Sequence, residues 1–237
     1  YQLTIRAPAT GERAVLKLGI ADKFDDPQNA PVDPATYTEE HGLPVLHLDV
    51  DPAISDRDYT PASVRYRGHR YTAEAKHRGA SSLGYPKKSF TLKFDKDDKF
   101  NEPSLPPGGF RDKRKVTLTT TFDDNSYVRQ RLSFQVWNQL DPAHVQVQHY
   151  SAVVFLNGQY QGLSAVTDHV DGYLMEDHGL LQDGNLYKAV NHDANFKLVR
   201  HSSGAAKALL SEGYEKQEGL PLMGEPGAFD DLIDLVR

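Results

Sequence analysis

Asn157-Gly158 interrupts the segment VQVQHYSAVVFLNGQYQGLSAVTDHV, residues 145–170, between two runs in which apolar residues recur at every second position. A period of two is the signature of a half-buried strand, because successive side chains leave opposite faces. Asn-Gly supplies two consecutive residues that tolerate positive φ, the requirement of a type I′ turn. The pattern therefore predicts an antiparallel hairpin here, and the same alternation recurs through the first two thirds of the chain.

The opening YQLTIRAPATGERAVLKLGI reads as two short strands around an Ala-Thr-Gly break. A loop is predicted over the Pro-, Asp- and Asn-rich stretch 25–34, followed by LPVLHLDV and by SVRYRGHRYTAEAKHRG, a hairpin around Gly68-His69. KKSFTLKF and KVTLTTTF are further strands, separated by a loop rich in proline and glycine from Pro103 to Gly109. DDNSYVRQRLSFQVWNQL opens with capping-type residues, repeats Val128, Leu132, Val136 and Leu140 at helical spacing, and stops before Pro142, which predicts a helix. Beyond Asp171 the texture changes: helices are predicted at GYLMEDHG, SGAAKALLSEG and FDDLIDLVR, with one strand at GNLYKAV.

RGASSLGYPKKSF, residues 78–90, concentrates two glycines, two serines and two lysines. It is not the phosphate loop G-x-x-x-x-G-K-[ST], since Tyr85-Pro86 follow the second glycine and a strand, not a helix, comes next. Counting back by twos from Phe94, Leu92 and Phe90 puts Lys88 on their inward face, where an ammonium group needs an anionic partner, protein carboxylate or ligand phosphate. Lys87 and Lys93 fall on the opposite face, the solvated one. Arg78, Ser81, Ser82 and the turn's N–H groups are candidate donors to phosphate oxygens beside Lys88; an ordinary polar turn is the alternative.

The charge balance, 27 basic against 33 acidic residues for a net −6, argues against wholesale neutralisation of a nucleic-acid backbone. No apolar run is long enough to cross a bilayer, so no membrane insertion is expected. Cysteine is absent, which removes disulfides, thiolate nucleophiles and cysteine zinc sites.

Four segments in order, RGASSLGYPKKSFTLKF, DDNSYVRQRLSFQVW, VVFLNGQYQGLSAVTDHVD and GNLYKA, resemble the CotH family of spore-coat and secreted proteins, which are atypical protein kinases. The resemblance is colinear over roughly residues 43–189, with weaker similarity at YEKQEG and DDLIDLV. It implies an α+β, kinase-like fold: an amino-terminal lobe with an antiparallel sheet and one long helix over residues 1–170, then the start of a mainly helical carboxy-terminal lobe over 171–237. It also implies transfer of the ATP γ-phosphoryl group to serine or threonine of coat or surface proteins, with Mg²⁺ or Mn²⁺, in a spore coat, at a cell surface or outside the cell. On this mapping residues 78–90 cover the phosphates, Lys88 neutralises them and TDHVD is the hinge near adenine. Asp168 stands where relatives commonly have glutamate, and Lys188 approaches the nucleotide from the second lobe or pairs with a carboxylate.

No glutamate inside the predicted helix pairs with a phosphate lysine, so the Lys-Glu ion pair of ordinary kinases is not expected. The aspartates that hold metal in the family, including a W-D-x-D-like segment, do not occur before Arg237. The chain is therefore expected to stop inside the carboxy-terminal lobe, as an incomplete or weakly active portion of the enzyme. A non-catalytic coat-assembly or adhesion module is the competing expectation. Asp49, Asp51, Asp56 and Asp58 form a calcium candidate that lacks the glycine and final glutamate of the twelve-residue loop. His169, Asp171, Glu176, Asp177 and His178 read as surface charges flanking a helix, and Arg129 and Arg131 as ion-pair donors.

Overall fold

Fourteen strands and three α-helices are present among the described residues of the computed structural model, which are 2–6, 13–17, 37–40, 42–104, 109–196, 204–209 and 211–236. β1 (Gln2–Arg6) and β2 (Arg13–Lys17) pair antiparallel as a separate hairpin, as the alternation predicts. The loop predicted over 25–34 lies outside the described residues.

The central feature is a closed ring of strands. β4 (Leu43–Val50), β5 (Thr60–Tyr66), β6 (His69–Arg78), β7 (Ser89–Phe94) and β10 (Lys115–Thr119) follow one another antiparallel; β10 pairs with β12 (Gln159–Asp168), and β12 with β11 (His149–Leu156). β11 then pairs parallel with β4, from Val153 opposite Val45 to Leu156 opposite Leu48, which closes a seven-stranded barrel. β3 (Glu39–Glu40) adds to β4 outside the ring.

The apolar face of each alternating strand points into this barrel. Leu46, Leu48, Val64, Leu92, Phe94 and Val116 are fully buried there. The hairpin of β8 (Phe100–Glu102) and β9 (Phe110–Lys113) contributes Phe100 and Phe110 to the same core, with ring centroids 5.1 Å from Phe94 and 5.3 Å from Tyr150. Asn157 and Gly158 take φ of 51° and 77°, the left-handed pair that the sequence predicts. The same asparagine latches the seam: its N–H donates to Leu48 O at 2.8 Å, and its Oδ1 accepts from Val50 N at 2.8 Å. The β5–β6 turn is centred on Arg67-Gly68, one residue earlier than predicted.

The expected α+β kinase-like lobe, an antiparallel sheet with one long helix, is therefore corrected: the molecule is mostly β, built on a closed barrel. Alternation reports which face of a strand is buried and is identical for an open sheet and a ring. Closure depends on β4 meeting β11, a contact between segments about a hundred residues apart that no local pattern encodes.

The helix α1 (Arg129–Leu140) lies outside the barrel with no buried residue. Asp124, itself buried, organises its approach by accepting from Ser126 N and Arg129 N, each at 3.0 Å. The predicted stripe Val128, Leu132, Val136 and Leu140 faces solvent, 48–68% exposed. Beyond Val170 come α2 (Gly172–Asp177), the pair β13 (Leu186–Ala189) and β14 (Tyr214–Glu218), and α3 (Asp230–Val236). No helix forms at SGAAKALLSEG among the described residues; there the Glu212 carboxylate accepts from the N–H groups of Ala208 and Leu209, and Gly213 has φ of 91°. A Cβ at Gly213 would come within 2.2 Å of the Ala194 nitrogen, so only glycine fits that approach.

Candidate functional site

The outer face of the barrel carries a row of threonines. Thr91, Thr117 and Thr167 stand directly opposite one another across β7, β10 and β12, and each is 3% exposed. Above Thr117 and Thr167 opens a cleft of about 370 Å³ between the barrel, α1 and the β13–β14 pair. Its walls change character along its length. Arg78 comes from the end of β6 and Gln130 from the first turn of α1, whereas Phe134, Val147, Val170 and Leu186 form an apolar shelf.

Arg78 reaches across β7 and donates from Nη1 to Thr119 Oγ1 at 3.0 Å. It has no carboxylate partner among the described residues. Lys188 lines the same cleft from β13, is exposed, and its side chain makes no hydrogen bond or ion pair among the described residues. The carboxylate that the sequence left open as its partner is therefore not found there.

Asp168 also lines the cleft, but both its oxygens are committed. Oδ2 accepts from Gln148 N at 2.7 Å, and Oδ1 pairs with Lys113 Nζ at 3.1 Å. Burial raises its pKa in spite of that lysine. Lys113 is itself shared with Asp177 at 2.5 Å; burial lowers its pKa, but the two carboxylates outweigh burial and hold it above the ordinary value. The triad ties the end of β12 to β9 and α2, so Asp168 fixes the course of the chain leaving the barrel.

Asp171, buried and not a surface charge, fixes the next step. Its Oδ1 caps α2 by accepting from Tyr173 N and Leu174 N, while Oδ2 meets Lys115 Nζ at 3.0 Å and His169 Nδ1 at 3.2 Å. Burial pushes its pKa up, yet His169 and Lys115 bring it below the usual aspartate value. His178 accepts from Gln146 N at 2.9 Å and faces Leu174 O at 2.8 Å, tying α2 to the segment before β11. Glu176 and Asp177 are exposed as expected, whereas His169, Asp171 and His178 are drawn in and fasten the segment that follows β12.

Ser81, Ser82 and Lys88 belong to a neighbouring turn and do not line this cleft. Ser81–Gly84 form a short 3₁₀ turn in which Leu83 N and Tyr85 N bond to Ala80 O and Ser82 O. Gly79 allows its close approach: with φ of 134°, a Cβ there would lie 2.1 Å from Ser82 Oγ. Lys88 Nζ donates to Leu83 O and closes the turn, while its side chain borders a small cavity at the barrel mouth with Phe90, Leu118 and Val154. Lys87, expected in solvent, is half-buried, donates to Leu163 O and has its pKa lowered by burial to about 8.

The calcium candidate does not assemble: Asp49 turns to Ser63 and Arg65, Asp51 accepts from Ala53 N, and no group of three carboxylates or histidines suited to a metal occurs among the described residues. Arg129 pairs with Asp124 at 3.6 Å, an ion-pair role as expected. Sequence reasoning missed Thr117, Thr167, Gln130, Lys113 and Lys115. The run TLTTTF held a signal for Thr117, because hydroxyls at alternate positions of a strand mark a face that is buried but not apolar.

Comparison with known proteins adds two findings. The family model described as CotH kinase protein matches residues 75–235. Inner spore coat protein H of Bacillus subtilis (strain 168) is 28% identical over 188 residues, covering 76% of this chain and 48% of that protein, so the chain spans about half the length of this relative.

Proposed function

Because the chain belongs to the CotH family, we propose that it is an atypical protein kinase of that type, holding ATP in the cleft between the barrel and the β13–β14 pair. The observation that carries this reading is the pair Arg78 and Lys188. These cations come from different layers, have no carboxylate partner among the described residues, and line one cleft together with the apolar shelf Phe134, Val147, Val170 and Leu186. Unpaired cations beside an apolar shelf match a ligand with anionic and aromatic ends.

In this arrangement Arg78 and Lys188 neutralise phosphate oxygens, and Phe134, Val147, Val170 and Leu186 cover the base. The turn Ser81–Gly84, closed by Lys88, follows Arg78 directly and supports the phosphate side. Asp168 and Asp171 position the hinge through Lys113 and Lys115. Such placement and charge neutralisation are what phosphoryl transfer asks of a protein. No base for the attacking hydroxyl is assigned among the described residues. The Mg²⁺ or Mn²⁺ that the resemblance implies finds no set of three ligands there, and no step is assigned to it.

The acceptor in this proposal is serine or threonine of a spore-coat or cell-surface protein, and the chain's place is the spore coat, as the name of its relative suggests. No helix among the described residues is long and apolar enough to cross a membrane. A second reading, an assembly module without catalysis, draws on the exposed α1 stripe and on the apolar groove beside Trp137, Met175 and Leu180.

Calorimetry with ATP separates the two. Arg78→Ala and Lys188→Ala should each weaken ATP binding about tenfold, the scale of a lost charge-assisted contact, without moving the melting temperature. Equal ATP affinity in both variants would overturn the cleft assignment. ATP binding without incorporation of labelled phosphate into any coat protein would leave the cleft and remove the kinase.

A further inference from the structure

Three cleft residues carry a buried polar atom without a hydrogen bond among the described residues; His169 Nδ1 has the Asp171 carboxylate at 3.2 Å, whereas the other two have no charged partner either. Among the described residues, Thr167 Oγ1, buried on the floor, has no hydrogen-bond partner, and neither has Gln130 Oε1, buried on the α1 wall. The neighbouring Thr117 hydroxyl does not satisfy Thr167, because it donates to the Thr167 carbonyl at 3.3 Å. A buried hydroxyl or amide without a partner is costly, and such groups are completed by water, an ion or a ligand. Both residues line one cavity, Thr167 from its floor and Gln130 from α1, so a ligand in that cavity that draws the two side chains toward it would complete both at once.

Their place along the cleft says which part of a ligand they meet. On β12, Thr167 stands between Ala165, paired with the Thr119 that binds Arg78, and the hinge residue Val170 of the apolar shelf. On α1, Gln130 lies one turn before Phe134, which belongs to that shelf. The orphans therefore sit between the cationic end and the apolar end. In a nucleoside triphosphate laid along this axis, the sugar occupies that middle position. A sugar hydroxyl is both donor and acceptor, so it can satisfy a threonine hydroxyl and an amide in either orientation.

We infer that the Thr167 hydroxyl and the Gln130 side-chain amide hold the ribose hydroxyls of the nucleotide, so that the cleft selects ribonucleotides over deoxyribonucleotides. This rests on the reading of the cleft as a nucleotide site. A site built to hydrogen-bond a hydroxyl rejects the analogue that lacks it, because its own polar groups are then buried unpaired. The selectivity comes from the floor and the helix wall, and not from Arg78 or Lys188.

The test is calorimetric titration of the protein with ATP, 2′-deoxy-ATP, 3′-deoxy-ATP and inorganic triphosphate, repeated on Thr167→Val and Gln130→Leu. The wild type should bind at least one deoxynucleotide about tenfold more weakly than ATP, the scale of one lost hydrogen bond. Each variant should bind ATP as weakly as the wild type binds the matching analogue, with little further penalty when variant and analogue are combined. Equal binding of ATP and both deoxynucleotides by the wild type overturns the inference and leaves the nucleotide cleft intact. Failure of both ATP and triphosphate to bind removes the cleft assignment itself, and the inference with it. Should Thr167→Val fail to fold, the wild-type comparison of the four ligands decides the matter alone.

Discussion

The inside of the barrel and the layer packed on its outside follow opposite rules. Within the ring, Leu46, Leu92, Phe94 and Phe100 are fully buried and aromatic rings meet at 5–6 Å spacing; Phe94 and Phe100, for example, are 5.1 Å apart. Outside it, α1 buries no residue, and the cleft keeps unpaired cations and unpaired polar atoms. Apolar packing is thus concentrated in one region and open bonding capacity in the other. The division follows from what each region must do, since a site needs groups whose bonding capacity is still open, whereas a core is held by apolar contact.

Truncation of the core should expose the contrast most sharply. Phe94→Ala removes a ring from the centre of the barrel and should cost about 3–5 kcal/mol, the range for large-to-small aromatic changes, read as a lower urea midpoint. A smaller loss there would mean that the barrel relaxes around cavities and is not the rigid half. Asn157→Ala attacks the seam, where one residue supplies both the left-handed turn and the bond to Val50 N. It should cost about 1–3 kcal/mol, combining the strain of a positive φ with a lost hydrogen bond. At the other extreme, Leu132→Ala on the exposed stripe of α1 should change stability by no more than about 0.5 kcal/mol. A loss of several kcal/mol would show that this helix face is packed in solution and would dissolve the comparison.

Much of the strand layout was legible because it is local. The hairpin at Asn157-Gly158 forms with both left-handed residues in place, and the helices at Arg129–Leu140, Gly172–Asp177 and Asp230–Val236 lie where periodicity and caps put them. Lys88, expected to meet an anionic partner, gives its ammonium group to Leu83 O, and both it and Lys87 border the cavity beside Phe90. Among the described residues the helix predicted at SGAAKALLSEG did not form; its last residue, Gly213, is held at positive φ in a close approach to Ala194 that a helix former could not make. The α1 stripe was correctly spaced but faces away from the barrel, because periodicity identifies a face without naming what covers it.

The candidate site was only partly legible. Arg78, Asp168 and Lys188, drawn from three distant segments, share the cleft, while Ser81, Ser82 and Lys88 build the adjoining turn. Thr167 and Gln130 could not have been singled out, since a threonine in a strand and a glutamine on a helix are ordinary until their partners are counted.

The sequence alone determined the strands of the barrel, the Asn157-Gly158 turn and the family, all of which rest on spacing between neighbours or on motifs in order; the short strands β3, β8, β9 and β14 carried no such signal. Only the tertiary structure decided that the sheet closes, which face of α1 meets the barrel, and which cations are left without partners. Those outcomes depend on pairings between remote segments, where the free energy of contact is set by three-dimensional proximity and leaves no trace in local periodicity.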